Sequence, residues 1–168
     1  MRLFLFILSF TVFQPCVAQT PDYSKDTQSA ESIVAALYEV ISGAQEDARD
    51  WERFKNLFTE DARLIPTFKD KEGKTGYRVL TPSDYTGMFS KNIKTGFYER
   101  EISHVKEEYG NIVHVFSTYE TREKKDGPVT MRGINSIQLL KKEDRYFVMQ
   151  VFWSSETKEN PLPEKYLK

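Results

Sequence analysis

The second half of this chain carries four long segments rich in Val, Ile, Phe, Tyr and Thr: Phe97 to Glu108, Ile112 to Lys124, Thr130 to Lys141 and Arg145 to Ser155. Only short polar breaks separate them, Tyr109 to Asn111, Lys125 to Pro128 and Lys142 to Glu143-Asp144. Breaks this short act as tight turns, so consecutive segments pair antiparallel. Any fold open to the chain must contain this four-stranded meander and cover its apolar face. Gly133, inside the third segment, is expected to mark a bulge or bend that lets the sheet wrap around its cover.

The cover is legible upstream as helical periodicity. Ala30, Ile33, Val34, Leu37, Tyr38 and Ile41 recur at three- and four-residue steps, one apolar face about 17 Å long, with Gly43 as its stop. Asp50 is an N-cap for a shorter helix carrying Trp51, Phe54, Leu57 and Phe58. Ala62 to Pro66 then reads as a strand ended by its proline. A polar turn over Lys69 to Thr75 leads to Tyr77 to Leu80, and Thr81-Pro82 starts a third helix bearing Tyr85, Met88, Phe89 and Ile93. Three N-terminal helices, followed by a curved antiparallel sheet that they cover on one face, make an α+β arrangement.

The chain begins with a basic residue, Arg2, an apolar run from Leu3 to Phe13, and small residues around Cys16-Val17-Ala18. That order predicts an export signal over residues 1–18. Its apolar run, about eleven residues, is shorter than the roughly 20 a membrane-spanning helix needs. Phe13-Gln14-Pro15 ahead of Cys16 is too bulky for a lipoprotein signal. Residues 19–28 lack periodicity and read as a flexible lead, 29–157 as the domain, and 158–168, with Pro161 and Pro163, as an extended or loose tail. Cys16 is the single cysteine, so its removal excludes disulfides, a thiolate nucleophile and cysteine metal sites from the mature protein. Losing Arg2 leaves one basic side chain fewer than the 24 of the full chain against 25 acidic ones, a mature net charge of −2. Such a balance offers no long-range attraction to nucleic acid or to an anionic membrane.

From Ser29 to Glu156 the order of elements resembles the nuclear transport factor 2-like superfamily, in particular the SnoaL-like branch exported by bacteria. The residues that carry the resemblance are Phe58-Thr-Glu-Asp-Ala-Arg63, Phe97-Tyr-Glu-Arg-Glu-Ile102, Asn111-Ile-Val-His-Val-Phe-Ser-Thr-Tyr-Glu120, Arg132-Gly-Ile-Asn-Ser-Ile-Gln-Leu-Leu140 and Tyr146-Phe-Val-Met-Gln-Val-Phe-Trp153. It implies a cone-shaped, cystatin-like fold with a pocket, and a periplasmic or secreted location. It does not imply one activity, because the superfamily spans several chemistries. Ketosteroid isomerase-like members place a general-base carboxylate four residues beyond the aspartate of the Asp-Ala step. Here that aspartate is Asp61 and the base position is Ile65. Asp61 itself is expected to fix the helix-to-strand turn by accepting backbone N–H bonds.

The candidate site residues follow from strand parity and side-chain chemistry. His104 and His114, the only histidines, would need a shared face with a carboxylate such as Glu101 to bind a metal. His104 lies on a face that becomes charged and His114 on one that stays apolar, so no metal or other cofactor is expected. His114, with Tyr119 or Arg132, is the set an enzyme would use. Arg63 and Arg132 lie between apolar neighbours and need acceptors, either Glu101 and Glu120 or the anionic group of a ligand. Tyr38, Ser117, Tyr119 and Asn135 add hydrogen bonds, and Trp153 adds a wall.

Three readings result: a binder of a small, largely apolar ligand, an isomerase-, dehydratase- or hydrolase-like enzyme, and a homodimer joined through the outer sheet face at residues such as Val148, Gln150 and Phe152. They separate on His114. Inside a closed pocket, within hydrogen-bonding reach of a carboxylate or tyrosine, it favours the enzyme; if it faces outward, or side chains fill the cone, both pocket readings are expected to fail. The leader gives the first testable outcome: Edman sequencing of exported protein should begin at Gln19-Thr20, and a retained Met1 would refute cleavage after Ala18.

Overall fold

The computed structural model describes residues 21–168, so the export signal and the first two residues of the lead lie outside the described residues. Helix α1 is Ala30–Ile41, α2 Trp51–Asn56, β1 Phe58–Lys69, β2 Thr75–Tyr77, α3 Pro82–Asn92, β3 Tyr98–Tyr109, β4 Ile112–Arg122, β5 Val129–Lys142 and β6 Arg145–Ser155. The sheet runs in the order β2-β1-β6-β5-β4-β3. Two features differ from expectation. The pair β1–β6 is parallel, so the sheet is mixed, and α3 follows β1 and β2, so not all the helices precede the sheet.

The helices start where their chemistry dictates. Ser29 and Ser32 form a reciprocal capping box on α1, each accepting the other's backbone N–H at 3.0 Å. Asp50 caps α2 by accepting the Arg53 N–H at 2.9 Å, and Thr81 with Asp84 boxes the start of α3, with Pro82 as its first residue. The apolar face of α1 lies against the sheet, with Ile33 fully buried. Each such aliphatic side chain contributes about 1.5–3 kcal/mol of transfer free energy. Ahead of α1, Ser24–Thr27, expected to be flexible, forms a 3-10 turn. Asp26 holds it by accepting the Arg53 guanidinium at 2.8 and 3.0 Å, a bidentate pair that a periodicity search does not see.

Beyond α1 the chain turns at Gly43, whose φ of +154° and closeness to a guanidinium suit glycine. A Cβ there would stand 2.8 Å from Arg49 Nη1. That guanidinium donates to the carbonyls of Ile41, Gly43, Ala44 and Asp47, which closes the end of the helix. Gly43 also exchanges two main-chain hydrogen bonds with Phe97, 2.7 and 2.9 Å long. Next to it, the Ser42 hydroxyl accepts from the Glu99 N–H at 2.9 Å, while its one proton faces the Tyr38 carbonyl at 2.7 Å and, more distantly, the Glu99 carbonyl at 3.1 Å. The end of α1 and the start of β3 are thereby clamped together.

Strand β1 runs through Pro66 instead of ending there. The main-chain groups of Leu64 and Pro66 on one side of β1 face only the edge segment Arg78 to Leu80. Proline's missing donor therefore costs a single rung at a sheet edge, and its carbonyl still accepts the Arg78 N–H at 3.2 Å. Asp61 is exposed within β1, and its carboxylate takes part in none of the hydrogen bonds among the described residues. Only its carbonyl is used, accepting from Arg63. The turn role expected of Asp61 is absent because the strand already begins at Phe58.

The sheet bends at register shifts between Glu101 and Ser103, Thr121 and Arg122, and Gln138 and Leu139. The last reverses the parity of β6. Val148 is therefore fully buried on the helix side, not on the outer face, while Gln150 and Phe152 remain outside. The tail folds back over that outer face as a strap. Tyr166 packs on Phe116 with ring centroids 5.1 Å apart, and its carbonyl accepts the Thr118 hydroxyl at 2.7 Å. A second copy approaching this face would meet the strap first.

Gly133 is not at a bulge: it pairs in regular register with Tyr119 and Ser155. Its role is space. A Cβ would fall 2.5 Å from Tyr119 Oη and 2.5 Å from the Ser154 carbonyl oxygen. Gly133→Ala should lower unfolding stability by about 1–3 kcal/mol in urea titration. A loss below about 0.5 kcal/mol would mean that Tyr119 moves aside freely.

Candidate functional site

Between the helices and the concave side of the sheet lies a cavity of about 200 Å³. Leu37, Tyr38 and Ile41 face it from α1, Phe54 from α2, Tyr85 and Phe89 from α3, and Leu64 from β1. Phe97 and Glu99 close it at the start of β3, with Tyr119, Met131, Asn135, Val151 and Trp153 from the rest of the sheet. Met131, 39% exposed, stands at the mouth. The aromatic wall is continuous. Phe54 stacks on Tyr85 at 5.4 Å, Tyr85 meets Trp153 edge-on at 6.3 Å, and Phe89 meets Phe97 edge-on at 5.3 Å.

Among the described residues, Glu99 is the one carboxyl on this wall. The Ser42 clamp fixes its backbone, but among the described residues its carboxyl takes part in no hydrogen bond or ion pair. It keeps some accessible surface, since it borders the cone and two neighbouring hollows, yet protein atoms surround it closely enough to strip most of its hydration. Desolvation pushes its pKa up to about 8, so the acid is largely neutral at pH 7.

Beside it runs a chain of hydrogen bonds. Asn135 Nδ2 donates to Tyr38 Oη at 2.9 Å, Tyr38 lies 2.7 Å from Ser117 Oγ, and Ser117 Oγ donates to Glu101. Glu101 in turn lies 2.6 Å from His104 Nδ1. With each hydroxyl used once as donor, the chain carries polarity from the cone to the surface. Burial, followed by the nearby Glu99, holds the Tyr38 phenol far above its ordinary pKa, so it stays neutral. Tyr119 is pushed up to about 12 by burial, its hydroxyl 3.2 Å from Ser155 Oγ.

A second hollow, about 360 Å³, lies between α1 and β3, with Tyr38 and Glu99 in its wall as well. Its charges are already matched, Glu31 with Lys106 and Glu101 with His104. The unmatched Glu99 borders both hollows, but only the cone surrounds it with aromatic rings, which makes the cone the stronger candidate.

Of the residues singled out from sequence, Tyr38, Tyr119, Asn135 and Trp153 line the cone, and Ser117 backs it through Tyr38. The others do not. His114 is on the outer face, its Nε2 3.0 Å from Ser136 Oγ, because the apolar strip containing Ile112, His114 and Phe116 is the outside of the sheet. The two histidines therefore lie on opposite faces, and the described residues hold no cluster of three or more metal-ligating side chains. Arg63, expected to be buried, is exposed, and its guanidinium folds onto the carbonyls of Asp61 and Ala62. Arg132 is paired bidentately with Glu156 at 2.9 and 3.2 Å, not with Glu101 or Glu120. Glu120 instead takes Arg100 at 2.8 Å and Arg122 at 2.7 Å, and Arg122 with Arg100 holds it below the usual carboxylate range.

Glu99 was missed, although a signal existed. Phe97, Glu99 and Glu101 share a face at two-residue spacing, so an acid next to Phe97 had to meet whatever Phe97 covers.

The architecture recurs in solved structures. A protein of unknown function with a cystatin-like fold from Nostoc punctiforme superposes with a TM-score of 0.58 at 11% identity, over 76% of this chain and 89% of the other. A nuclear transport factor 2-like protein of unknown function from Methylobacillus flagellatus gives 0.51 at 14% identity, over 77% and 95%. A function-unknown protein of Mycobacterium tuberculosis gives 0.57 at 13% identity, over 78% and 72%. The fold is nuclear transport factor 2-like. No family model and no curated protein matches the sequence, so these likenesses speak for architecture alone.

The raised acid has a signed consequence for stability. Between the ordinary glutamate value near 4.5 and about 8, the folded state holds a proton on Glu99 that the unfolded state has released. Stability contributed by Glu99 is therefore full below pH 4.5 and declines as pH rises to 8. Urea titrations across that window should show wild type losing stability relative to Glu99→Gln. Parallel pH profiles would contradict the burial of this acid.

Proposed function

We propose that this protein binds a small, largely apolar molecule in its cone, and that it does so as an exported member of the SnoaL-like branch. His114 faces outward, the outcome expected to end both pocket readings; the binding reading rests instead on a residue outside that expectation, the one carboxyl without a partner of its own in an aromatic-walled cavity. A cavity of about 200 Å³ lies below the roughly 300–1,000 Å³ typical of drug-sized ligands, so the occupant is of single-ring size or little more. Location and branch rest on the leader sequence and on the ordered motifs.

Catalysis has less support. An enzyme needs groups that converge on one reacting atom. His114 and Arg132 lie on the face opposite Tyr119, and Ile65 borders an outer hollow with Phe152 instead of the cone. Glu99 remains the one cone group able to exchange a proton near neutral pH.

Native mass spectrometry of the protein purified from its own source tests the reading directly and gives the subunit number in the same spectrum. The expected result is a small mass excess that disappears on unfolding and is missing from Met131→Trp, in which an indole narrows the mouth. No mass excess, together with no saturable uptake of single-ring compounds, would defeat it.

A further inference from the structure

The charge and lining of the cone select among apolar ligands. Among the described residues, the cone wall contains no lysine, arginine or histidine, so an anionic ligand would meet no counter-charge and would lie against Glu99. On the cone side the titratable groups that face Glu99 are Tyr38 from α1, Tyr85 from α3 and Tyr119 from β4, with Glu101 on its own strand. Arg100, Arg122 and Lys125 border a separate hollow that Glu99 also reaches, and His104 and Lys106 the hollow beside α1, but none of these cations lines the cone or offsets the desolvation of Glu99. Asn135 and Trp153, from β5 and β6, are uncharged. The ring faces and edges of Tyr85, Phe89, Phe97 and Trp153 surround the same space.

An aromatic enclosure with one unmatched carboxyl is complementary to a cation carried on a hydrophobic body. The ring quadrupoles attract the positive charge, and the carboxylate neutralises it through a charge-assisted hydrogen bond. The alternative, a neutral ligand accepting a hydrogen bond from protonated Glu99, uses the acid but leaves the preference for positive charge idle.

We propose that the cone takes small primary amines of the arylalkyl class, with the ammonium group seated on Glu99 and the ring against the wall of Tyr85 and Trp153. The inference rests on the cone-binding reading above and deepens it. Its chemistry is a proton exchange. The amine enters as the ammonium ion, Glu99 ionises beside it, and the proton leaves to solvent, so the cone does not acquire a net charge. Release of close to one proton per amine is expected at pH 7, because empty Glu99 is mostly protonated there.

Isothermal titration calorimetry of the full mature protein with three isosteric probes tests it: benzylamine, benzyl alcohol and benzoate. Benzylamine should bind at least about tenfold more tightly than benzyl alcohol at pH 7.5, and benzoate not at all. In Glu99→Gln the amine and the alcohol should become equal. Titrations in two buffers of different ionisation enthalpy should show the released proton in wild type, a readout that stands even where the variant folds poorly. Alcohol binding equal to or tighter than amine, or an amine preference that survives in Glu99→Gln, overturns the amine assignment and leaves cone binding intact. Failure of all three probes to bind removes both.

Discussion

The clamp between the end of α1 and the start of β3 is the constraint on which the rest of the molecule depends. Two main-chain bonds between Gly43 and Phe97, and the Ser42 hydroxyl bridging the Tyr38 carbonyl of α1 to the Glu99 N–H, fix the first strand of the meander on its helical cover. Once β3 is fixed there, β4, β5 and β6 follow by hairpin pairing, and the bends at the register shifts carry the sheet around α1. The clamp also sets Glu99 at the cone wall. Its carboxyl is held in place by backbone geometry, which leaves it free of side-chain partners.

Nearly every other acid near the core is matched. Asp26 takes Arg53, Glu120 takes two arginines, Glu156 takes Arg132 and Glu101 takes His104 together with Ser117. A fold that pairs its charges so consistently, and leaves one acid in an apolar enclosure, accepts a desolvation cost that packing alone does not require. Polar satisfaction elsewhere is close to complete: among the buried side-chain atoms of the described residues, only Thr59 Oγ1 and Arg145 Nε lack a partner.

The parts of this fold that the sequence shows are those governed by local rules. The four long strands, the capped helices and the inward position of Tyr38 follow from period, turn length and capping chemistry. Three things escape such rules. The parallel pairing of β1 with β6 joins residues such as Leu64 and Val151 that lie far apart in the chain, so no turn announces it. The bulges in β3 and β6 reverse parity within a strand, which moved Val148 into the core. And the apolar character of the strip around His114 identified a face without saying which one, because the C-terminal strap gives the outer side an apolar partner through Tyr166 and Phe116. The arginines show the same limit. Arg63 and Arg132 sit between apolar neighbours on strands, yet one curls onto its own backbone and the other finds Glu156, an acid beyond the last strand.

The chain has two tryptophans, placed unequally with respect to the cone. Trp153 forms part of its wall, edge-on to Tyr85. Trp51 lies one ring further out, against Phe54 and Phe89. Intrinsic emission is therefore divided between one indole that touches the contents of the cavity and one that touches only its lining. A charged guest beside Trp153 would shift that fluorophore's spectrum directly, while Trp51 would serve as an internal optical reference within the same molecule.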